Sequence, residues 1–563
     1  MSQSISPSTS REKNIRDAIV ANRRIRLRTR GYSQGLPLPE TRTVPLVPFS
    51  FPPLLICEIK RRSPSRGDID SGLDPVQRAN AYFQGGVRTF SVLTEEDHFG
   101  GSLSDLVAVK SAFPKATVLR KDFLLDPEDI DVSYRLGADA VLLIASVLDR
   151  ERLEELYRQA THLGLSVLVE VHTEEDVKKV RPMRPEWVGI NSRNLETFRT
   201  DLLHPLLARG WIDWDAKVVF ESGVRTPEDG RFVGSAGFEG LLVGEAVVRD
   251  PSTVPKLRIT YEEAFRETSR GSFPREEDPS TGKPTLRINE KAHFWIRIAD
   301  ALRRNYPSSS VEHLRQGSQE SEGSSNPLAQ MDGRTSSKEL VKRRPLVKIC
   351  GITNPTDAYL AVEEGADLLG FIFASSPRKA TSSLVRELQG LEVLKVGVVV
   401  AKEEGDGVNR SLLLEASHLV QEGYLDALQV HGMEISGDVL NLLRGMSIPY
   451  YPVWNPKTST EVQNALEKFL GPRFLVDASK EGMYGGTGIR VSDDVLQALK
   501  ERGVPLWLAG GLRGETIREV VEKWNPELVD ASSGVELYPG KKDPEKLRTF
   551  FKEIRNACTT VGR

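Results

Sequence analysis

Short apolar runs punctuate the chain at intervals of roughly 20 to 35 residues, with helical patterns between them. The first eight lie at 54–60, 89–95, 117–123, 139–146, 166–172, 187–193, 217–223 and 240–246. They are rich in Val, Ile and Leu and lack clean alternation, the pattern of strands covered on both faces. Spacers such as Asp149-Arg150-Glu151-Arg152-Leu153-Glu154-Glu155-Leu156-Tyr157 carry helical periodicity, so each unit reads as βα. A second set of eight runs follows at 346–352, 368–374, 395–401, 427–432, 450–455, 473–479, 505–511 and 528–534. Eight βα units in roughly 200 residues is the count of a closed (β/α)8 barrel. An open doubly wound sheet ordinarily has fewer strands.

The predicted fold is therefore α/β, with two consecutive (β/α)8 TIM barrels joined by a long, partly disordered linker. Residues 257–344 fit neither series. Within them Phe294, Ile298, Leu302 and Tyr306 fall at helical spacing, with Trp295 and Ala299 beside them, which predicts a helix docked on the first barrel. The remainder is Ser-rich, as in Pro307-Ser308-Ser309-Ser310 and Thr335-Ser336-Ser337, and reads as a mobile span to the second barrel. Residues 11–30 read as a helix with Ile15 and Ile19 inward and Val20 beside them, placed to cap one barrel end or to help cover a substrate. The expected domains are 1–256, 257–344 and 345–563.

Composition narrows the class without choosing within it. Of 563 residues, 39% are hydrophobic and 28% charged, as in ordinary soluble proteins. A net charge of −3 offers no global attraction to nucleic acid or anionic membrane. The basic cluster Arg23-Arg24-Ile25-Arg26-Leu27-Arg28 reads as the solvated face of a helix. Cys57, Cys350 and Cys558 make no disulfide framework and have no zinc-type spacing. The opening Met-Ser-Gln-Ser-Ile-Ser-Pro has no apolar core, and no apolar run approaches the ~20 residues that cross a bilayer. A soluble cytoplasmic protein is expected, acting on small molecules without nucleic acid, membrane or an obligate protein partner.

In (β/α)8 enzymes the reactive groups stand at the C-terminal ends of strands. The first series places polar residues there repeatedly: Glu58 and Lys60, Lys121-Asp122, Glu170 and His172, Asn191 and Arg193, Glu221-Ser222-Gly223, and Gly244-Glu245. Any one could belong to a salt bridge at the barrel mouth. Six such positions together need another reason, because unpaired buried charge is costly. Two lysines among carboxylates can act as general acid and electrostatic clamp, with a carboxylate as base. Glycines after strands seven and eight are where many barrels bind phosphate.

These residues carry a resemblance. Glu58-x-Lys60-x-x-Ser63-Pro64-Ser65, Leu119-Arg120-Lys121-Asp122-Phe123, Glu170-Val171-His172, Gly189-Ile190-Asn191-x-Arg193-Asn194-Leu195 and Glu221-Ser222-Gly223 resemble, in order, the indole-3-glycerol-phosphate synthases. That family closes a pyrrole ring on a carboxyphenylamino-deoxyribulose phosphate with loss of carbon dioxide and water. The resemblance implies Lys121 as the general acid at the substrate carbonyl. Lys60 would bind the departing carboxylate and share in proton transfer, and Glu170 would act in acid–base work during dehydration. Glu58, Asn191 and Ser222 would orient these groups. Ser63, Gly223, Gly244 and the backbone at Glu245 would hold the phosphate, with Arg193 also binding substrate.

In the second series Lys348 and Cys350 share strand one. A strand cysteine is ordinarily an inert small apolar residue. Here Arg378, His431 and Asp477 stand at other strand ends, and a thiolate facing a carboxyl group makes a base and acid pair. Lys348-Ile349-Cys350-Gly351-Ile352-Thr353, Phe373-x-x-Ser376-Pro377-Arg378, Gln429-x-His431-Gly432, Gly485-Gly486-Thr487-Gly488, Leu508-Ala509-Gly510-Gly511-Leu512 and Asp530-x-Ser532-Ser533-Gly534-Val535-Glu536 resemble the phosphoribosylanthranilate isomerases. That family performs an Amadori rearrangement. The resemblance implies Cys350 as general base, Asp477 as general acid and Arg378 as clamp on the anthranilate carboxylate. His431 joins the substrate contacts, and Gly486, Gly488, Gly510, Gly511, Ser533 and Gly534 surround the phosphate.

The two resemblances interlock, since the product of such an isomerase is the substrate of such a synthase: two consecutive steps of tryptophan biosynthesis, with no metal or organic cofactor in either. One alternative is a pair of barrels acting on another amino-sugar phosphate. Phosphosugar isomerases with paired aspartates at strands one and five fit poorly, because those places hold Lys60 or Cys350 and Glu170 or Trp454. A decayed, non-catalytic scaffold would have shed some of Lys60, Lys121, Glu170, Cys350 and Asp477.

Overall fold

The computed structural model describes residues 15–63, 67–194, 200–270, 275–277, 284–286, 294–305, 344–401, 407–432, 439, 442–443, 446, 448–465, 472–478 and 490–559. Tyr306, the Ser-rich segment and the Gly485-Gly486-Thr487-Gly488 turn lie outside the described residues, as do Pro64, Ser65 and Leu195. The chain divides into two compact units, Met1–Ala292 and His293–Arg563.

In the first unit the strands are β1 (Leu54–Ile59), β2 (Thr89–Leu93), β3 (Thr117–Lys121), β4 (Ala140–Ile144), β5 (Ser166–Val171), β6 (Trp187–Asn191), β7 (Lys217–Glu221) and β8 (Gly240–Val243). Each pairs in parallel with its sequence neighbours, and β1 also pairs with β8, closing a barrel. The second unit repeats this with β9 (Leu346–Cys350), β10 (Leu368–Phe373), β11 (Leu394–Val400), β12 (Ala427–His431), β13 (Tyr450–Trp454), β14 (Leu475–Val476), β15 (Trp507–Ala509) and β16 (Leu528–Ala531). All sixteen predicted strands are present. Helices begin where a capping side chain precedes proline: the side chains of Asp74, Thr226 and Asn354 accept backbone amides of the turn that Pro75, Pro227 and Pro355 open.

The alternation of each strand divides its residues between two layers. In the first barrel Leu54, Ile56, Leu119, Leu142, Leu168, Trp187, Val219 and Leu242 form an apolar interior below the polar strand ends. The extended segment before β1 closes the opposite end. Val47 N donates to Asp139 Oδ1 at 2.9 Å, Phe49 N donates to Ser166 Oγ at 2.9 Å, and the Phe49 ring meets Trp187 edge-on at 5.3 Å.

Three expectations need correction. Residues 257–270 are not linker. They continue a helix, Val254–Arg270, that packs on the helix Pro227–Ser235. The approach is so close that a Cβ at Gly234 would lie 2.4 Å from the Tyr261 carbonyl oxygen. The helix Phe294–Arg304 packs on the second barrel rather than the first: Phe294 stacks on Tyr451 at 6.0 Å, and Trp295 lies 5.9 Å from Trp507. An amphipathic stripe marks a face to be buried but does not say against what.

The third correction concerns the N-terminal helix, Ile15–Arg30. Ile19 is buried as expected, but so is Arg23, only 3% exposed. Its guanidinium meets Asp129 at 2.5 Å and Asp122 at 3.8 Å, beside Arg120, which lies 3.0 Å from Asp122. Arg26 and Arg30 pair with Glu96 after β2. Asp122 and Glu96 both follow strand C-termini, so this helix covers the polar end of the barrel.

Candidate active sites

The polar residues of the first series converge on one end of the first barrel. Glu58 and Lys60, two apart at the end of β1, form an ion pair of 2.6 Å. Across from them Lys121 Nζ lies 3.1 Å from Glu170 Oε2 and 2.5 Å from Glu221 Oε2. Asn191 Nδ2 donates to Glu170 Oε1 at 3.2 Å, and Arg193 N donates to Asn191 Oδ1 at 3.0 Å. Two ammonium groups are thus held among three carboxylates.

Burial acts to lower the Lys121 pKa, but Glu221, Glu170 and Glu58 together outweigh it and hold the ammonium above the ordinary lysine range. Burial pushes the Glu221 carboxyl up to about 7 against the opposing pull of Lys121. Burial also acts to raise Glu58, but Lys60 and Lys121 prevail and keep its carboxyl low. The site therefore joins an ammonium that is charged at neutral pH to a carboxyl group poised near neutrality.

Two glycines are required by this network. A Cβ at Gly189 would sit 1.9 Å from Glu221 Oε1, and one at Gly244 would sit 2.4 Å from Glu58 Oε1. Gly244 was expected to serve only a phosphate; it also makes room for the Glu58–Lys60 pair. Gly189→Ala is expected to displace Glu221 and lower turnover in the first barrel about 100-fold, since small misplacements of reacting groups have such effects. Steady-state kinetics of the full chain would check it, with second-barrel turnover unchanged. Ser222 (φ +70°) and Gly223 (φ +83°) take two successive left-handed conformations after β7, unusual for serine. Ser63 is buried after β1. His172 donates from Nδ1 to the Asn191 carbonyl at 2.9 Å, while its Nε2 accepts from Asn194, so it braces β5 against β6.

In the second barrel Lys348 and Cys350 face inward from β9, and a Cβ at Gly370 would lie 2.7 Å from Cys350 Sγ and 2.9 Å from Lys348 Nζ. Lys348, fully buried, pairs with Asp530 at 2.7 Å. Burial raises the Cys350 thiol, with Lys348 opposing. Asp477 follows β14 and is pushed up to about 6 by burial and then by Asp530. Burial, followed by the Lys348 charge, lowers His431 to about 3 and keeps its ring neutral. Arg378 holds Glu536 through Nε (2.9 Å) and Nη2 (2.8 Å). Gly510 and Gly511 adopt positive φ after β15, and Ser533 and Gly534 begin a short turn after β16, where a Cβ at Gly534 would strike the Leu512 carbonyl oxygen at 2.0 Å. Gly486 and Gly488 lie outside the described residues.

Three acidic groups to which the sequence assigned no role take part in these sites: Glu221, Asp530 and Glu536. All three stood inside motifs, and Glu221 and Asp530 sit at strand ends, but only folding pairs them with Lys121, Lys348 and Arg378. Glu221 Oε1 and Asp530 Oδ1 are buried with no hydrogen-bond partner among the described residues, one in each barrel. A buried lone acceptor is costly, and a ligand donor would relieve it. Glu95, Asp97 and His98 also bring ligand-type atoms within 4.8 Å of one another. Glu95 already accepts the amides of Asp97, His98 and Phe99, which makes it the closure of a turn.

Each half is a (β/α)8 barrel with acid–base groups gathered at the C-terminal strand ends. The family described as indole-3-glycerol phosphate synthase matches residues 46–259, and that described as N-(5'-phosphoribosyl)anthranilate isomerase matches residues 347–553. The chain belongs to the indole-3-glycerol phosphate synthase family through its first barrel and to the phosphoribosylanthranilate isomerase family through its second. The Bacillus pumilus indole-3-glycerol phosphate synthase is 40% identical over 210 residues, which cover 37% of this chain and 84% of that protein. A multifunctional tryptophan biosynthesis protein of Schizosaccharomyces pombe is 28% identical over 531 residues, 89% of this chain. This chain spans only 59% of that relative's length. The phosphoribosyl anthranilate isomerase structure from Thermotoga maritima is 31% identical, with 38% of this chain and 99% of that one covered and a TM-score of 0.31. No helix among the described residues is long and apolar enough to cross a membrane.

Proposed function

We propose that the second barrel converts N-(5-phosphoribosyl)anthranilate into 1-(2-carboxyphenylamino)-1-deoxyribulose 5-phosphate, and that the first barrel closes this product into indole-3-glycerol phosphate. The observation that carries the reading is Lys121 held between Glu170 and Glu221 at the mouth of the first barrel.

In the isomerase step Asp477 protonates the ribose ring oxygen as the C1–O bond breaks and the nitrogen lone pair forms an iminium. The Cys350 thiolate removes the C2 proton, and the enolamine collapses to the ketose. Arg378 meets the anthranilate carboxylate through its Nη1 edge, His431 contacts the sugar, and Gly486, Gly488, Gly510, Gly511, Ser533 and Gly534 surround the phosphate. In the synthase step Lys121 protonates the ketone oxygen as the aromatic carbon attacks, and carbon dioxide leaves from the carboxylate that Lys60 holds. Glu170 transfers protons during loss of water, with Glu58, Asn191 and Ser222 orienting the reacting groups. Ser63, Arg193, Gly223 and Gly244 bind the phosphate end. A soluble, cytoplasmic setting suits both small-molecule steps.

The pH dependence of isomerisation follows from the acid and the base. The productive pair is protonated Asp477 with Cys350 thiolate, a constant minor form of the singly protonated pair between the two pKa values. Activity is expected to rise with pH through about 6 as the second proton leaves, and to stay level until the raised thiol titrates. A kcat/KM profile that instead falls above pH 6 would show the acid losing its proton with the thiolate already formed, and would overturn the raised Cys350 thiol.

The reading is tested on the purified full chain without added metal. Phosphoribosylanthranilate is supplied, its fluorescence is followed for the first step, and indole absorbance for the second. Loss of the one with gain of the other supports both assignments; neither change points to a different amino-sugar phosphate.

A further inference from the structure

A hydrogen-bonded column runs through the second barrel from its closed end toward its reactive end. At the closed end the helix Phe294–Arg304 buries Phe294 and Trp295 against the first residues of the strands. Phe294 lies nearly parallel to Tyr451, Trp295 is 6.5 Å from the same ring, and Trp507 meets it edge-on at 5.1 Å. The Tyr451 ring is therefore gripped by three aromatics. Arg297 pairs with Asp426, and Asn305 Nδ2 donates to the Arg344 carbonyl at 3.2 Å, fastening the helix along its length.

From this anchored ring the Tyr451 hydroxyl donates to Gln429 Oε1 at 3.0 Å. With its carbonyl so engaged, Gln429 turns its amide nitrogen to His431 Nε2, 3.1 Å away. An amide nitrogen can only donate, so the imidazole accepts at Nε2 and carries its single proton on Nδ1. Gln429 and His431 are two apart on β12 and share its inward face.

We infer that Tyr451 and Gln429 are positioning residues for isomerisation: they hold His431 as the neutral Nδ1–H tautomer that donates to a sugar oxygen, and the helix Phe294–Arg304 serves this by pinning Tyr451. The inference rests on the proposed isomerase activity but makes a claim that can be read without substrate. The low histidine pKa agrees with a neutral ring. The column also gives the Phe294–Arg304 helix a catalytic consequence, although it touches no substrate.

The test uses full-length Tyr451→Phe, which removes one oxygen, and Gln429→Glu, whose carboxylate would accept from Nε2–H and favour the opposite tautomer. Histidine 15N spectra of the wild type should show a protonated Nδ1 and a bare Nε2 for His431. Tyr451→Phe should give a mixture, and Gln429→Glu the reverse tautomer. Isomerase kcat should fall about tenfold and about 100-fold respectively, the range for loss of a partner that orients a reactive ligand, with KM within about twofold. Trp295→Ala should follow Tyr451→Phe, and Trp295→Phe should restore kcat. Synthase turnover of the same chains should be unchanged. Wild-type kcat in Tyr451→Phe, or an unaltered tautomer in both variants, overturns the inference. A wild-type chain that fails to isomerise, yet shows the Nδ1–H tautomer and its reversal, overturns the proposed function while sparing the column.

Discussion

Lys121→Ala in the full chain will stop the two-step conversion at the ring-opened ketose, which accumulates while indole formation falls by at least about 1000-fold. Lys121 is the cation shared by Glu170 and Glu221, so its removal takes away the acid and leaves two buried carboxylates facing each other. Glu221, already pushed up to about 7, would then stay protonated through neutral pH. The variant should therefore show more than a missing acid: a carboxyl group that titrates above 7 by difference infrared spectroscopy. Lys121→Arg keeps the charge but not the compact ammonium, and should recover little turnover. An indole rate within tenfold of wild type for Lys121→Ala would end the assignment of Lys121 as the acid.

Cys350→Ala is expected to block the first step by a comparable factor, while supplied ketose is still closed to indole at the wild-type rate. The thiol is buried beside Lys348, so the substitution leaves a small cavity and little else. Removal of the base, rather than unfolding, then accounts for the loss. Cys350→Ser sharpens the point, because an alcohol of the same shape is a far weaker acid and should be nearly as inactive. Persistence of isomerisation in Cys350→Ala would move the base elsewhere, with Asp530, the ion-pair partner of Lys348, the next group to test.

Much of this was legible before folding because barrel strands are short, apolar and regularly spaced, and because reactive side chains sit where they end. Lys60, Lys121, Glu170 and Asn191 could be placed at one mouth from strand position alone, since two-residue alternation decides which side chains face inward. What could not be read was pairing across the barrel. Arg23 looked like one more solvated arginine, since its partners Asp122 and Asp129 lie some hundred residues away and nothing local announces them. Glu221 was visible in its motif, but its neighbourhood with Lys121 arises only from closure of the barrel. The Phe294–Arg304 helix was recognisable as a helix and assigned to the wrong barrel, because periodicity states which face is apolar and not which surface receives it.

Both barrels close their lower ends with chain that precedes the first strand: Phe49 against Trp187 in one, Phe294 and Trp295 against Tyr451 and Trp507 in the other. A catalytic module here thus begins well upstream of its first strand. Anyone dividing the chain to express the second barrel alone, or grafting it onto another partner, should cut ahead of Phe294 rather than at the strand boundary near Leu346. A cut at the later position would open an aromatic floor to water and yield a protein prone to self-association, with the fault lying in where the scissors fell.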